Sequence, residues 1–415
     1  MSLAAPFAPT LKLLRREPRA RGFFLAHAQS SLGNGAAYVA LLVLAYERLH
    51  SPWAITLILL ADMLPPMLLG PLCGAAADRW PRRRCAVVAD AVRAFAFVGI
   101  GLIGGFVPML ALALLAGTGT ALFRPAVLAG LPGLVDKSRL PAATSLYGPI
   151  DDLGYTLGPV LAGGLLLLAG ADTVMVANGL TFVVSALVLA RSPLGDKQAT
   201  AVEPSGTSLV SEAREGLRVV ASSRVLKGLI AASSSILLFA GLFNVGELLL
   251  AEDTLGAGSS GYAVLVAVFG IGVAAGSMSG SKGGSLDEIT GRFLGGLLLV
   301  AAAFVASGLA PTYGVALVAF AACGVGNGVV MVHERLLLQE LVHDQLMGRV
   351  FGIKDALTSG AFGAGFVCAG VLLPLIGTRA LFVLAGVGAL AVWCAAALLL
   401  RPAAAPAPMV ATAEA

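Results

Sequence analysis

Apolar residues along this chain gather in long runs separated by short polar breaks, with neither the alternation of a half-buried strand nor the single apolar stripe of a soluble helix. A hydrocarbon core about 30 Å thick takes roughly 20 apolar residues in a helix. Twelve runs reach that length, at 22–47, 53–74, 85–106, 108–131, 143–169, 172–190, 226–250, 259–280, 291–310, 312–337, 350–376 and 379–400. The expected fold is an all-α polytopic membrane protein with twelve transmembrane helices.

One long polar stretch, Arg191 to Lys227, follows the sixth run. It begins as SPLGDKQATAVEPSGTS, the composition of a flexible linker, and continues as SLVSEAREGLRVVASSRVLK, which reads as an amphipathic surface helix. The predicted organisation is a tail over 1–21, a six-helix bundle over 22–191, a linker over 192–225, a second six-helix bundle over 226–401 and a tail over 402–415. Leu134 and Val135 recur as Leu341 and Val342, and Gly158 recurs as Gly365, each 207 residues later. Repeated six-helix halves are a known transporter arrangement, with the substrate site between them near the midplane.

Composition agrees with the pattern. Of 415 residues, 58% are hydrophobic and 12% charged, where an ordinary soluble domain has about 25% charged. Charge adds sidedness. Of the 27 Lys and Arg, Arg48 and Arg379 fall at outer loops, Arg93 and Arg124 fall within helices, and the others fall on the opposite side. Short loops rich in Lys and Arg stay in the cytoplasm, so both termini are expected on the inner face of the cell membrane. The net charge of +4 then reports topology and gives no case for a nucleic-acid partner. The first 21 residues carry Lys12, Arg15, Arg16, Arg19 and Arg21 without a preceding apolar core, so no cleavable signal is expected. Cys73, Cys85, Cys323, Cys368 and Cys394 lie in or beside apolar runs without CxxC or Cys/His spacing; they read as packing residues, with no disulfide or metal site.

The densest charge is GAAADRWPRRR, from Gly74 to Arg84. Topology accounts for its arginines. Asp78 among them can accept hydrogen bonds from Arg79 or from a helix N-terminus. Asp90 and Arg93 stand at i and i+3 on one helix face, which predicts a structural ion pair near the loop, with substrate contact as the other reading. Asp62 lies about 18 Å up its helix from Gly74 at 1.5 Å per residue, near the midplane. An Asp there costs about 2.5–3.5 kcal/mol and faces a cavity or a neighbouring helix.

Asp151 and Asp152 lie at intermediate depth, and adjacent helical positions point about 100° apart. Arg124 is a candidate partner for one, leaving the other to carry a proton; if helix five starts later, both are loop acids. Glu47 and Glu247, near outer helix ends, read as gate carboxylates or as plain interfacial acids. His27 and Asn34 share a face, with Gln29 nearby, which makes a water-lined or helix-contacting stripe. His27 is then either a hydrogen-bonded structural residue or a proton relay. Glu334 with Arg335, and Lys354 with Asp355, read as local ion pairs. Gly154 with Gly158, and Gly324, Gly326 and Gly328, allow close helix approach, and Pro159 can kink its helix. GVGNG lacks the Lys-Ser/Thr of a phosphate loop, and His333-Glu334 lacks the second His of a zinc site. No nucleophile, base or metal set recurs at helical spacing, so an intramembrane enzyme is a distant reading, as is a receptor.

Gly74, Asp78, Arg79, Arg82 and Arg83 fit G-x-x-x-D-R-x-x-R-R, and on this loop the chain resembles the major facilitator superfamily. Pro81 stands where that loop usually has Gly. Ser51-Pro52, Leu64-Pro65, Asp90-x-x-Arg93, Phe123-x-Pro125-Ala126, Gln339 and Gly348-Arg349-Val350 are similar to the bacterial exporter branch of enterobactin and macrolide efflux proteins. Gly154-x-x-x-Gly158-Pro159 followed by Gly163-Gly164 resembles an antiporter motif, with one extra residue before Gly163 and Ser145 for its leading Gly. The second-half loop SKGGSLDEITGR keeps Lys282, Asp287 and Arg292 without the arginine cluster.

The resemblance implies the major facilitator fold of two six-helix bundles working by alternating access. It implies a latch at Gly74, Asp78, Arg79, Arg82 and Arg83, backed by Asp90 and Arg93. It also implies export of a small amphiphilic drug, antibiotic, siderophore or metabolite by proton antiport, with Asp62 or one of Asp151 and Asp152 taking the proton. The transporter would work as a monomer in the lipid bilayer, with no cofactor beyond the proton gradient. An uptake carrier or lysolipid flippase of the same fold stays open, because direction is not written in the helices.

Overall fold

The computed structural model describes residues 17–195, 217–282 and 284–400. The first half holds α1 (Pro18–Leu49), α2 (Pro52–Arg79), α3 (Arg82–Leu102) and α4 (Phe106–Gly130). The next run, Leu140–Ala190, is broken at Gly170, whose φ of 77° lies in the region glycine enters without steric cost. It gives α5 (140–169) and α6 (171–190). The second half holds α7 (Arg224–Leu249) with a π turn at Leu250–Thr254, then α8 (Gly258–Ser277), α9 (Leu286–Leu309) and α10 (Tyr313–Leu341). The run Asp344–Leu399 breaks at Gly377, φ 78°, into α11 (344–376) and α12 (378–399). All twelve expected helices are present. Several begin before their apolar run because polar residues continue the helix past the hydrocarbon edge, as at Asp344 and Leu286. Residues 217–222 of the expected surface helix are helical and its last residues, from Ser223, cap and open α7; its first part, most of the linker before it, most of the N-terminal tail and the C-terminal tail lie outside the described residues.

Side-chain caps start four of these helices. Ser51 accepts from the Trp53 amide at 3.3 Å, Ser223 from Leu226 at 3.2 Å, Ser285 from Glu288 at 3.3 Å and Thr312 from Val315 at 3.5 Å. Each cap satisfies an amide that the first helical turn leaves without a carbonyl. Within the first half α1 packs on the α5–α6 run and α3 on both α4 and that run; in the second, α7 packs on the α11–α12 run and α10 on α8 and α9. Val107, Leu167, Leu168 and Leu375 are among the most exposed side chains, as lipid-facing positions should be.

The repeat is written most clearly in close backbone approaches. A Cβ on Gly101 would meet Asp172, Met175 and Val176; one on Gly308 would meet Arg379, Phe382 and Val383. Gly179 sits against Ala94 and Val98, and Gly386 against Ala301 and Val305. Gly119 sits against Ala89 and Arg93, and Gly326 against Gly296 and Val300. Every pair is 207 residues apart, as are the breaks at Gly170 and Gly377. The α1–α5 crossing, Gly35 on Gly154 and Gly158, is matched by the α7–α11 crossing of Gly241 on Gly365.

These crossings leave no room for a methyl group, because the neighbour at Gly35 is the Gly154 carbonyl. Gly35→Ala should destabilise by about 1–3 kcal/mol through overpacking. Gly22→Ala on the same helix, where the site is open, should be neutral or slightly stabilising. Thermal unfolding of the two purified variants compares them directly.

Candidate functional site

The helix ends bearing the α2–α3 loop form the basic end of the molecule; His50, Gly170 and Gly377 mark the opposite end. Between the halves lies a cavity of about 800 Å³. Asn34 and Tyr38 of α1, Asp62, Met63 and Met67 of α2, Arg124 of α4, Tyr155 of α5, and Asp355, Phe362 and Phe366 of α11 line it. Asp62 and Arg124 are exposed to this space. Among the described residues, no cation stands within ion-pair distance of Asp62 and no carboxylate within that distance of Arg124.

Bonds between the halves run from the middle to the opposite end. The Tyr38 hydroxyl donates to Asn244 Oδ1 at 3.0 Å, Tyr46 to Asp253 Oδ2 at 2.7 Å, and Thr56 to the Phe366 carbonyl at 3.1 Å. Trp53 packs against Gly370, and Met63 against Gly363. These contacts close the opposite end, so the cavity faces the basic end. Arg48 braces the first half at this end, donating to Asp172 at 2.8 Å and to the Ile100 carbonyl at 2.9 Å.

At the basic end the loop arginines act as C-terminal caps. Arg82 donates to the Ala129 carbonyl at 2.6 Å, and Arg83 to the Ser192 carbonyl at 3.4 Å. A cation there satisfies a free carbonyl and complements the negative pole of the helix. Both partners belong to the same half as the loop. Arg79 is exposed, Gly74 has open space around it, and the Asp78 side chain lies outside the described residues.

Asp90 and Arg93 form an ion pair buried in the first half. The Arg93 guanidinium lies 4.0 Å from the Phe123 ring centroid and 4.3 Å from that of Phe182, held by two cation–π contacts. Asp90 also takes a hydrogen bond from Ser185 of α6, so the described partners of this pair lie in the core of the first half.

His27 lies behind Phe123. Its Nε2 is 3.2 Å from Asp151 Oδ1, which also accepts from the Ser31 hydroxyl at 2.8 Å. The direct partners of Asp151 are therefore on α1 and do not include Arg124, which faces the cavity. The Asp152 side chain lies outside the described residues. Asn34 accepts from Asn178 at 3.4 Å and lines the cavity, while Gln29 donates to the Thr181 carbonyl at 2.7 Å. The α1 stripe thus divides between helix contact and cavity wall.

Glu247 is buried in the second half, taking a 3.5 Å bond from Asn244 beside the Tyr38 contact. Glu47 lines a separate cleft of about 430 Å³ at the opposite end, with Gly170 and Ser259. Lys354 of α11 pairs with Glu334 of α10 at 3.3 Å and with Asp355 at 3.7 Å, so Glu334 is bridged between helices and not to Arg335. In the α5 glycine motif, Gly154 and Gly158 touch α1, Gly163 faces Ala263 of α8, and Gly164 is open. Pro159 lies within the continuous helix. The aromatic lining was missed from sequence. The repeat could have found part of it, since Tyr155 and Phe362 are 207 residues apart and both face the cavity.

The profile of the Major Facilitator Superfamily matches residues 23–362. The chain is 27% identical over 394 residues to the multidrug efflux pump Tap of Mycobacterium tuberculosis, covering 89% of this chain and 91% of that protein. It is 23% identical over 376 residues to macrolide efflux protein A of Streptococcus pyogenes, covering 86% and 90%. Among solved structures it superposes on the nucleoside transporter NupG with a TM-score of 0.70 at 12% identity, covering 92% of this chain and 99% of that one. A bacterial homolog of the human lysosomal transporter Spinster, inward-facing and unoccupied, gives a TM-score of 0.69 at 16% identity, covering 92% and 97%. The structural likenesses establish the fold, and the profile match over most of the sequence establishes descent: the chain belongs to the Major Facilitator Superfamily of transporters.

Proposed function

We propose that this transporter exports a small amphiphilic molecule carrying a positive charge, in exchange for protons. The observation that carries this reading is Asp62, a carboxylate with no cation at ion-pair distance among the described residues, exposed in an aromatic and thioether-lined cavity between the halves. A carboxylate at this depth is costly without a partner, and a cationic guest supplies one. Tyr38, Tyr155, Phe362 and Phe366 offer ring faces to a cation and area to an apolar body, while Met63 and Met67 adapt to varied shapes.

The charge bias supports a cytoplasmic basic end, and on that reading the present state receives substrate from inside the cell. Efflux pumps among the relatives support the outward direction. Release requires the Tyr38–Asn244 and Tyr46–Asp253 bonds to break while the basic end closes. We assign that closure to Gly74, Asp78, Arg79, Arg82 and Arg83, on a half stiffened by Asp90 and Arg93. The transporter works as a monomer and draws on the proton gradient without a cofactor.

In inside-out vesicles energised by respiration, a fluorescent lipophilic cation should accumulate, and a protonophore should abolish that accumulation. Accumulation unchanged by the protonophore would remove proton coupling from the reading.

A further inference from the structure

We propose that His27 and Asp151 together hold the exchanged proton, leaving Asp62 to the substrate; the inference rests on the proton-coupled export proposed above. Nε2 stands 3.2 Å from Oδ1, within ion-pair distance; this buried nitrogen makes no hydrogen bond among the described residues, and Ser31 fixes the same oxygen of Asp151. The His27 side chain is 5% exposed and that of Asp151 39%. The His27 ring stacks on Tyr147 at 4.4 Å, with Phe23 and Phe123 beside it. Asp151 is thus the described polar partner of a closed-in imidazole, with its own side chain partly open.

The duplicated scaffold shows that packing does not require these groups. The α7–α11 crossing repeats the α1–α5 crossing through Gly241 and Gly365. At the positions equivalent to His27 and Asp151 it carries Ser233 and Thr358, 206 and 207 residues later. Thr358 bonds within its own helix, to the Lys354 carbonyl at 2.9 Å. The same helix contact therefore forms without an ionisable pair, and the first half adds charge chemistry to it.

Several charged or titratable groups act on the pair. Asp90 and Arg93 of α3 lie beyond Phe123, Tyr147 and Tyr155 share α5, and Arg124 of α4 is close enough to act on Asp151. With the proton bound, imidazolium and carboxylate sum to zero charge. On release the Nε2–H bond breaks, the proton passes to an Asp151 oxygen and then to water, and a neutral imidazole and a carboxylate remain. The site is then negative, and Arg124 on the cavity wall is the cation facing it. Proton loss at the α1–α5 crossing thereby changes the field in the substrate cavity.

The test uses the full-length protein reconstituted in liposomes, with a pH dye inside and a fluorescent lipophilic cation as substrate. Asp151→Asn and His27→Gln should each lower substrate-induced proton flux by about tenfold or more, with affinity for the cation within about threefold of wild type. Asp62→Asn should do the reverse to affinity. Asp151→Glu should restore proton flux with a displaced pH profile, which a purely structural role would not produce. Wild-type proton flux per substrate in Asp151→Asn overturns the assignment, as does an Asp151→Glu variant as inactive as Asp151→Asn. A wild-type protein that moves substrate without any proton flux overturns the coupling reading itself, a result separable from either.

Discussion

Arg93→Val alone should lower stability by about 3–5 kcal/mol, because it leaves a buried carboxylate without its counter-charge. Asp90 has no exposed surface, and Arg93, at 5%, reaches it beneath the rings of Phe123 and Phe182. The Asp90→Leu/Arg93→Val double variant should recover most of the loss. Its design comes from the second half, where Leu297 and Val300 occupy the same places in the repeated α9–α10 contact, both buried. Replacing a buried ion pair by well-packed apolar residues is often neutral or stabilising. Chemical or thermal unfolding in detergent would compare single and double variants. A double variant no better than the single would mean that Asp90 and Arg93 contribute something beyond mutual neutralisation.

Asp62→Asn should weaken binding of a cationic amphiphile by about 10- to 150-fold, the range expected when a charged hydrogen bond of about 1.5–3 kcal/mol is lost. A neutral molecule of the same shape should bind both forms alike, because the aromatic wall is untouched. Equilibrium binding of the two probes separates the charge from the pocket. Equal loss for both probes would assign Asp62 to the shape of the cavity and remove it as counter-ion.

Much of the fold was legible because hydrocarbon thickness constrains it directly. The run at 53–74 became Pro52–Arg79, and that at 259–280 became Gly258–Ser277. The repeat was read only from Leu134-Val135 and Gly158, although Gly101, Gly119, Gly170 and Gly179 each recur 207 residues later; the residues those glycines touch are mostly unlike in the two halves. Arg93 and Val300 meet matching glycines, and no comparison of side chains would align them. The site was less legible still. Depth along a helix placed Asp62 near the midplane, but depth carries no information about azimuth, so it could not say that Asp151 faces His27 and not Arg124. The Glu334–Lys354 bridge shows the same limit: neighbours in sequence point about 100° apart on a helix, and the partner was on the next helix. Charges that find partners across helices are determined by packing, and packing is what a hydropathy pattern leaves out.

The central claim is that the cavity carries a substrate outward in exchange for protons. The most direct measurement imposes a pH gradient across liposomes containing the purified protein and records substrate and proton movement together. Opposed fluxes, with substrate accumulating against its gradient on the acidic side, are the predicted result. Substrate and protons moving in the same direction, or substrate moving at a rate independent of the pH gradient, would contradict it.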